Sequence, residues 1–307
     1  MRLVTRSDFD GLTCAVLLVE MGLVDRFYFV HPKDIQDGKV EVDKDDILAN
    51  VPFVPGCGMW FDHHSSEQER LRLFETFHFE GSSQPELSCA RVIYNYFNGK
   101  EHLHRFEESG LMDAVDRCDS ARLSREEVLY PKDWILLSFI MDSRTGLGRF
   151  KDYRVSNYQL MENLIDYIRT MEVSHILNVP DIQERVNRYF EQEKDYEEML
   201  KKNTHLFDNV LVINLLNVDP ILSGNRFKEY VIFPDQNVSI RVIWGFKKQN
   251  IVLNCGYSIF KSEKPVDIGA LMLTYGGGGH KTVGTCQVSV NSWEKVLAEL
   301  LDIFKEK

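Results

Sequence analysis

Gly58-Met59-Trp60-Phe61-Asp62-His63-His64 is the stretch on which the reading of this chain turns. An apolar, strand-like run stops directly on one acid and two imidazoles. Open α/β sheets gather their functional groups at the carboxyl ends of parallel strands, so this ending predicts a site. Asp or His can bind a metal there, while the remaining His donates to a substrate phosphate or orients a ligand. A hydrogen-bonded His pair with a purely structural role is the plainer alternative.

Upstream, Arg2-Leu-Val-Thr5 reads as a short buried strand. It leads through Ser7-Asp-Phe-Asp-Gly11 into Leu12–Met21, whose composition suits a helix. Strand, acidic turn and helix form the opening of an α/β unit. Asp8 and Asp10 can both face one ion cluster, and carboxylate oxygens are the hard ligands that Mg²⁺ and Mn²⁺ prefer. A solvated turn also uses Asp and Gly in this way. Arg26–Val30 and Gly58–Phe61 read as further strands, and Ser88–Phe97 and Trp134–Met141 as helical. Asp116 and Asp119 follow the helical region 88–108, where a turn of helix would put both on one face. Asp142 competes with them as an acidic candidate.

Further along, residues 182–202 form a charged amphipathic stretch that suits a long, partly exposed helix bridging two domains. Beyond Leu206 the texture becomes β-rich: Val210–Asn214, Tyr230–Phe233, Val238–Trp244 and Ile251–Cys255. A glycine run and a helix from Ser292 to Phe304 close the chain. The boundary therefore falls near residue 200, giving domains 1–195 (with the linker helix at its end) and 205–307. Consecutive glycines in Gly276-Gly277-Gly278-Gly279-His280 leave backbone amides open to phosphate oxygens, although a flexible loop has the same composition. Arg241, on the strand VSIRVIW, can add a bidentate phosphate contact or simply be solvated.

With 307 residues the chain can build one large domain or two. Its formal charge of −11 argues against a partner such as long duplex DNA, which is held mainly through its phosphates. An acidic protein that handles phosphate must make its positive field locally, with bound ions and a few arginines. Cys14, Cys57, Cys89, Cys118, Cys255 and Cys286 show no CxxC or zinc spacing and read as free thiols. The N-terminus lacks a signal-peptide pattern and no apolar run would span a bilayer, so the expectation is a cytoplasmic protein with no membrane partner.

Together, SDFDG, FDHHSSE, AVDRCDS and GGGGH occur in the order seen in the DHH phosphoesterases that carry a C-terminal DHHA1 domain. The chain resembles the exopolyphosphatase-related branch, kin to nanoRNase/pAp-phosphatase enzymes and more distantly to RecJ-type nucleases. That resemblance implies a two-domain α/β fold: an N-terminal DHH domain with a mainly parallel sheet flanked by helices, and a smaller C-terminal α/β DHHA1 domain with a mixed sheet. It implies one or two divalent ions, Mn²⁺ or Mg²⁺, in the cleft between the domains. Asp8, Asp10 and His63 match the metal ligands, and Asp116, with Asp119 close behind, matches the fourth acidic position. Asp62 would support the ligands and His64 would face the phosphate, which makes Asp62, His63 and His64 the catalytic triplet. Arg241, Gly277, Gly278, Gly279 and His280 would hold the far end of the substrate.

The activity so implied is metal-dependent hydrolysis of a small phosphodiester or phosphoanhydride: a dinucleotide, a short oligonucleotide, a linear product of a cyclic dinucleotide, or a 3′-phosphonucleotide. An exopolyphosphatase fits the acidic balance less well. A non-catalytic nucleotide-binding or sensor protein with a decayed metal site is the reading from another class. A homodimer is compatible with either. Two departures from the family pattern stand out. The His that precedes DxD in many relatives is replaced here by Thr5-Arg6-Ser7. The acid expected at the end of the strand before DHH is Asn50, which leaves Asp45 or Asp46 as substitutes.

Overall fold

Two sheets organise the chain, one of five strands and one of six. The computed structural model describes residues 1–64, Glu67 and 78–305, so Ser65 and Ser66 of the FDHHSSE motif lie outside the described residues. One compact unit comprises Met1–Leu123 and Pro131–Arg188, the other Ser124–Tyr130 and Tyr189–Lys307. The division between these two units runs through the helix Pro180–Lys202. Ser124–Tyr130 goes with the second unit because it packs there. Asn225 Nδ2 donates to the Val128 carbonyl at 3.3 Å, and the Arg125 guanidinium lies 4.8 Å from the Phe260 ring centroid.

In the first unit, β1 (Arg2–Arg6), β2 (Arg26–Val30), β3 (Asp46–Ala49), β4 (Met59–Asp62) and β5 (Gly81–Ser83) form a sheet of order β2-β1-β3-β4-β5. Every pairing is parallel. β3 and β4 are buried along their whole length, the signature of strands covered on both faces. Trp60 anchors one face: its ring meets Phe79 edge-on at 4.9 Å, and its indole N–H donates to the Val51 carbonyl at 2.9 Å.

β1 turns straight into the helix Phe9–Glu20, with Asp8 as N-cap accepting from the Gly11 amide at 2.9 Å. A Cβ on Gly11 would sit 2.0 Å from the Arg6 carbonyl oxygen, so only glycine lets this helix start so close to its strand. The strand order reverses between β1 and β3, and open sheets of this order place ligands at that switch point. The segments that leave β1, β3 and β4 there carry Asp8 and Asp10, Asn50, and His63 with His64.

The second unit has the order β10-β11-β9-β8-β7-β6, where β6 is Thr204–Phe207, β7 Val210–Asn214, β8 Val238–Trp244, β9 Ile251–Tyr257, β10 Gly278–His280 and β11 Val283–Val288. β7 and β8 pair in parallel and the others antiparallel, which makes the sheet mixed. Ile240, Val242 and Leu253 form its core with Met272 and Leu300 of the helices Ile268–Thr274 and Trp293–Lys305.

Tyr230–Phe233, expected as a strand, is instead the end of the helix Lys228–Ile232. β-Branched and aromatic residues raised the strand propensity there, and packing overrode it. Tyr230 sends its hydroxyl to the Gly256 carbonyl at 3.0 Å, and Lys228 reaches Glu193 at 2.7 Å. Among the described residues, no helix is long and apolar enough to cross a membrane.

Candidate metal centre

Asp10, His63 and Asp119 bring one ligand atom each to within 4.8 Å of the others. They come from the first turn of the helix Phe9–Glu20, the residue after β4, and the last residue of the helix Leu111–Asp119. Asp10 lies at the bottom of the group, 2% exposed, whereas the Asp119 side chain is 28% exposed, so the cluster opens outward past Asp119.

The N-terminus of the helix Cys89–Tyr96 holds the Asp10 carboxylate. The amides of Cys89 and Ala90 donate to it at 2.9 and 2.8 Å. Burial still pushes Asp10 well above the usual carboxylate range, as do the neighbouring charges of Asp119 and Asp8, against the pull of those two amides. Burial likewise raises Asp119, which His63, His64 and Arg6 partly offset. Two neighbouring carboxylates that each resist ionisation beside the other are the condition that a divalent cation relieves.

His63 supplies the observation that decides whether a cation fits. Its Nδ1 lies 3.2 Å from the Glu86 carbonyl oxygen, so Nδ1 carries the hydrogen. In the neutral ring Nε2 is then the lone pair, and it is buried without a hydrogen-bond partner. It faces Asp119 at 3.3 Å and Asp10 at 3.9 Å. A lone pair turned toward two carboxylates suits a metal ion between them.

His64 has a different task. Its Nδ1 pairs with Asp62 Oδ1 at 2.9 Å, and its amide donates to Asp62 Oδ2 at 3.1 Å. Burial pulls its pKa down, but the Asp62 hydrogen bond and charge, with Asp119 and Asp10, raise it to about 9. The Asp62 carboxylate thus favours the imidazolium form of His64, whose ring centroid lies 4.3 Å from that of His63. Fully buried Asp62 serves His64 and is not among the three clustered ligands.

Of the other expected ligands, Asp8 caps its helix and pairs with Arg6 at 3.0 Å. Asp116 accepts from Ser88 Oγ at 2.7 Å and pairs with Arg91 at 2.7 Å. Ser88 is the N-cap of the helix Cys89–Tyr96, so Asp116 braces the amides that hold Asp10. Asp142 caps the turn Ser143–Thr145 and binds Arg144 Nε at 2.7 Å. Asp46 begins β3, at the far end from Asn50, and is engaged by Arg2; it does not reach the cluster. Sequence reasoning missed Arg144, which desolvation pulls down and Asp142, then Asp8 and Asp119, hold charged. An Asp two residues ahead of an Arg is the only signal it gave.

Arg241 and the glycine run belong to the second unit. Arg241 pairs with the Glu229 carboxylate, with the Tyr196 hydroxyl at 3.4 Å. Gly278–His280 of the run is an edge strand, and Gly276 and Gly277 lead into it. A Cβ on Gly277 would meet the Thr285 carbonyl at 2.0 Å and one on Gly279 the Val283 carbonyl at 2.3 Å, whereas Gly278 faces open space. Packing against β11 thus accounts for Gly277 and Gly279, the positive φ of 75° accounts for Gly276, and Gly278 is the open position within β10. His280 pairs with Val283 in the ladder.

No protein-family model and no curated protein matches the chain. Among solved structures, the pGpG-specific phosphodiesterase PggH from Vibrio cholerae is 42% identical, covers 99% of this chain and 99% of its own, and superposes with a TM-score of 0.83. The chain belongs to the DHH phosphoesterases. An exopolyphosphatase-related protein from Bacteroides fragilis shares the DHH phosphoesterase fold at 14% identity and a TM-score of 0.55, over 99% of this chain and 92% of that one. RecJ from Thermus thermophilus, solved with Mg²⁺, does so at 12% identity and 0.51, over 100% of this chain and 50% of that one. As a DHH phosphoesterase the chain is a hydrolase of phosphoric ester or anhydride bonds.

Proposed function

We propose that this DHH phosphoesterase cleaves a linear dinucleotide of the pGpG kind, using a divalent ion held by Asp10, His63 and Asp119. The bare, buried Nε2 of His63 turned toward two carboxylates carries the metal part of this reading. Likeness to PggH at 42% identity supports the substrate class. Two carboxylates and one imidazole suit Mn²⁺ or Mg²⁺ among the common divalent ions. When bound, the ion supplies Lewis-acid charge at the phosphoryl group and eases the ionisation of water.

The chain's own residues do the rest. The Cys89 and Ala90 amides keep Asp10 in place, and the Glu86 carbonyl keeps the His63 ring turned. Asp62 holds His64 as an imidazolium whose positive charge opposes the negative charge that grows on the phosphoryl oxygens. Gly278, Arg241 and His280 of the second unit remain our candidates for the rest of the substrate.

The test is hydrolysis of a panel with Mn²⁺: pGpG, pApA, longer oligoguanylates, pAp, pyrophosphate and polyphosphate, read by chromatography. GMP is expected from pGpG, with the other substrates slower by about tenfold or more, the scale of one well-placed polar contact. Phosphate release from polyphosphate with pGpG left intact would overturn the assignment.

A further inference from the structure

We infer that the centre holds a single divalent ion, and that Arg6, a residue of the chain itself, provides the positive charge beside Asp8. The inference rests on the metal-dependent reading above and adds the number of ions and what sets it.

Ligands and charges can be counted separately. Among the described residues three ligand atoms converge, from Asp10, His63 and Asp119, and Asp8 contributes none. The Asp8 carboxylate is already engaged at both oxygens. Oδ2 faces Arg6 Nε at 3.0 Å, and Oδ1 accepts from the Gly11 amide at 2.9 Å and from Asn50 Nδ2 at 3.2 Å. One dication balances Asp10 and Asp119, and one guanidinium balances Asp8, so among the described residues these three carboxylates leave no net negative charge to attract a second dication. An ion placed against Asp8 would have to displace Arg6 or face its charge at contact distance.

Asn50 completes the arrangement. It leaves β3 in the left-handed region, with φ 56°, which Asn tolerates better than most residues. It is 2% exposed, and its amide donates to Asp8 where a carboxylate would repel it. Its remaining atom, Oδ1, is buried without a hydrogen-bond partner. The leftover polar atom on this side is thus a neutral oxygen rather than the second carboxylate that a pair of dications would share.

The experiment is equilibrium dialysis of the full chain against Mn²⁺, followed by electron paramagnetic resonance at low temperature. Wild type should hold one Mn²⁺ per chain with the spectrum of an isolated ion. His63→Ala should hold none. The double variant Arg6→His/Asn50→Asp removes the guanidinium and adds a ligand and a carboxylate. It should hold two ions with an exchange-coupled spectrum, its fold checked by a melting transition. Two ions on wild type would overturn this inference and leave the hydrolase reading intact. No ion on folded wild type would overturn both. A folded double variant that stays at one ion would show that Arg6 and Asn50 do not set the count, and the inference would fall. Should the double variant not fold, the wild-type stoichiometry alone still decides.

Discussion

His63 Nδ1 and the Glu86 carbonyl oxygen stand 3.2 Å apart, and this contact fixes which nitrogen of the ring is free. A carbonyl only accepts, so the lone pair is placed on Nε2, toward Asp119 and Asp10. His63→Ala is expected to lower both Mn²⁺ affinity and hydrolysis by about 100-fold or more, beyond the usual cost of losing an outer partner of a ligand. Dialysis and turnover measured on one preparation check it. Unaltered ion binding would sink the ligand assignment.

Asp62 acts on His64, and its removal should separate catalysis from metal binding. In Asp62→Asn the imidazolium loses the carboxylate that bonds it. kcat should fall about 10²- to 10⁴-fold, the range for a positioned proton-bearing group, while Mn²⁺ stoichiometry stays as in wild type. A matching loss of the ion would place Asp62 among the ligands instead.

The glycines of β10 can be told apart by alanine. Gly279 has φ 156° and its Cβ would lie 2.3 Å from the Val283 carbonyl, so Gly279→Ala should destabilise by about 1–3 kcal/mol, the cost of overpacking. At Gly278 nothing lies within 4 Å, so Gly278→Ala should melt like wild type. If the open side of Gly278 meets substrate, KM should rise in that variant with its melting temperature unchanged. Unchanged KM would remove Gly278 from the substrate contacts.

Arg2 and Asp46 hold the opposite end of the sheet. Arg2 Nε and Nη2 each reach an Asp46 oxygen at 2.7 Å, and the Asp46 side chain is 3% exposed. Burial pushes the carboxyl up, but Arg2 and the Asp43 amide outweigh it and hold it below the ordinary range. With the folded pKa lowered, the stabilisation is fully present above the unfolded carboxyl value, about 3.9, and is lost as pH falls through the folded value. Asp46→Asn should cost about 2 kcal/mol at neutral pH, the scale of hydrogen bonds to a charged group, with hydrolysis untouched. Below pH 4 the gap between the two melting curves should narrow. A gap that stays constant with pH would mean the pair contributes through packing alone.

The strand-to-acid endings made much of the candidate site legible. Asp10 and His63 could be read because a short apolar run, a polar residue and a turn lie in consecutive sequence. Asp119 could be named only beside Asp116, since residues three apart on a helix share a face. Arg91 and Ser88, which claim Asp116, come from another helix that no local pattern ties to it. Arg6 was visible as a missing His, but its pairing with Asp8 depends on how tightly Gly11 draws the helix onto β1. Tyr230–Phe233 was misread because propensity is local, whereas the contacts that made it helical lie 26 and 35 residues away.

The proposed metal ligands sit on separate crossings of the first unit, and Asp10 is steadied by amides 79 and 80 residues further along. No short peptide cut from this chain carries the centre, and the unfolded chain has no equivalent of it. An ion that binds only the assembled sheet acts as a folding ligand, worth about 2.7 kcal/mol when its free concentration is 100 times its dissociation constant. Free manganese would then govern how long the protein survives as well as how fast it works, and a melting curve taken across metal concentrations would serve as a binding isotherm.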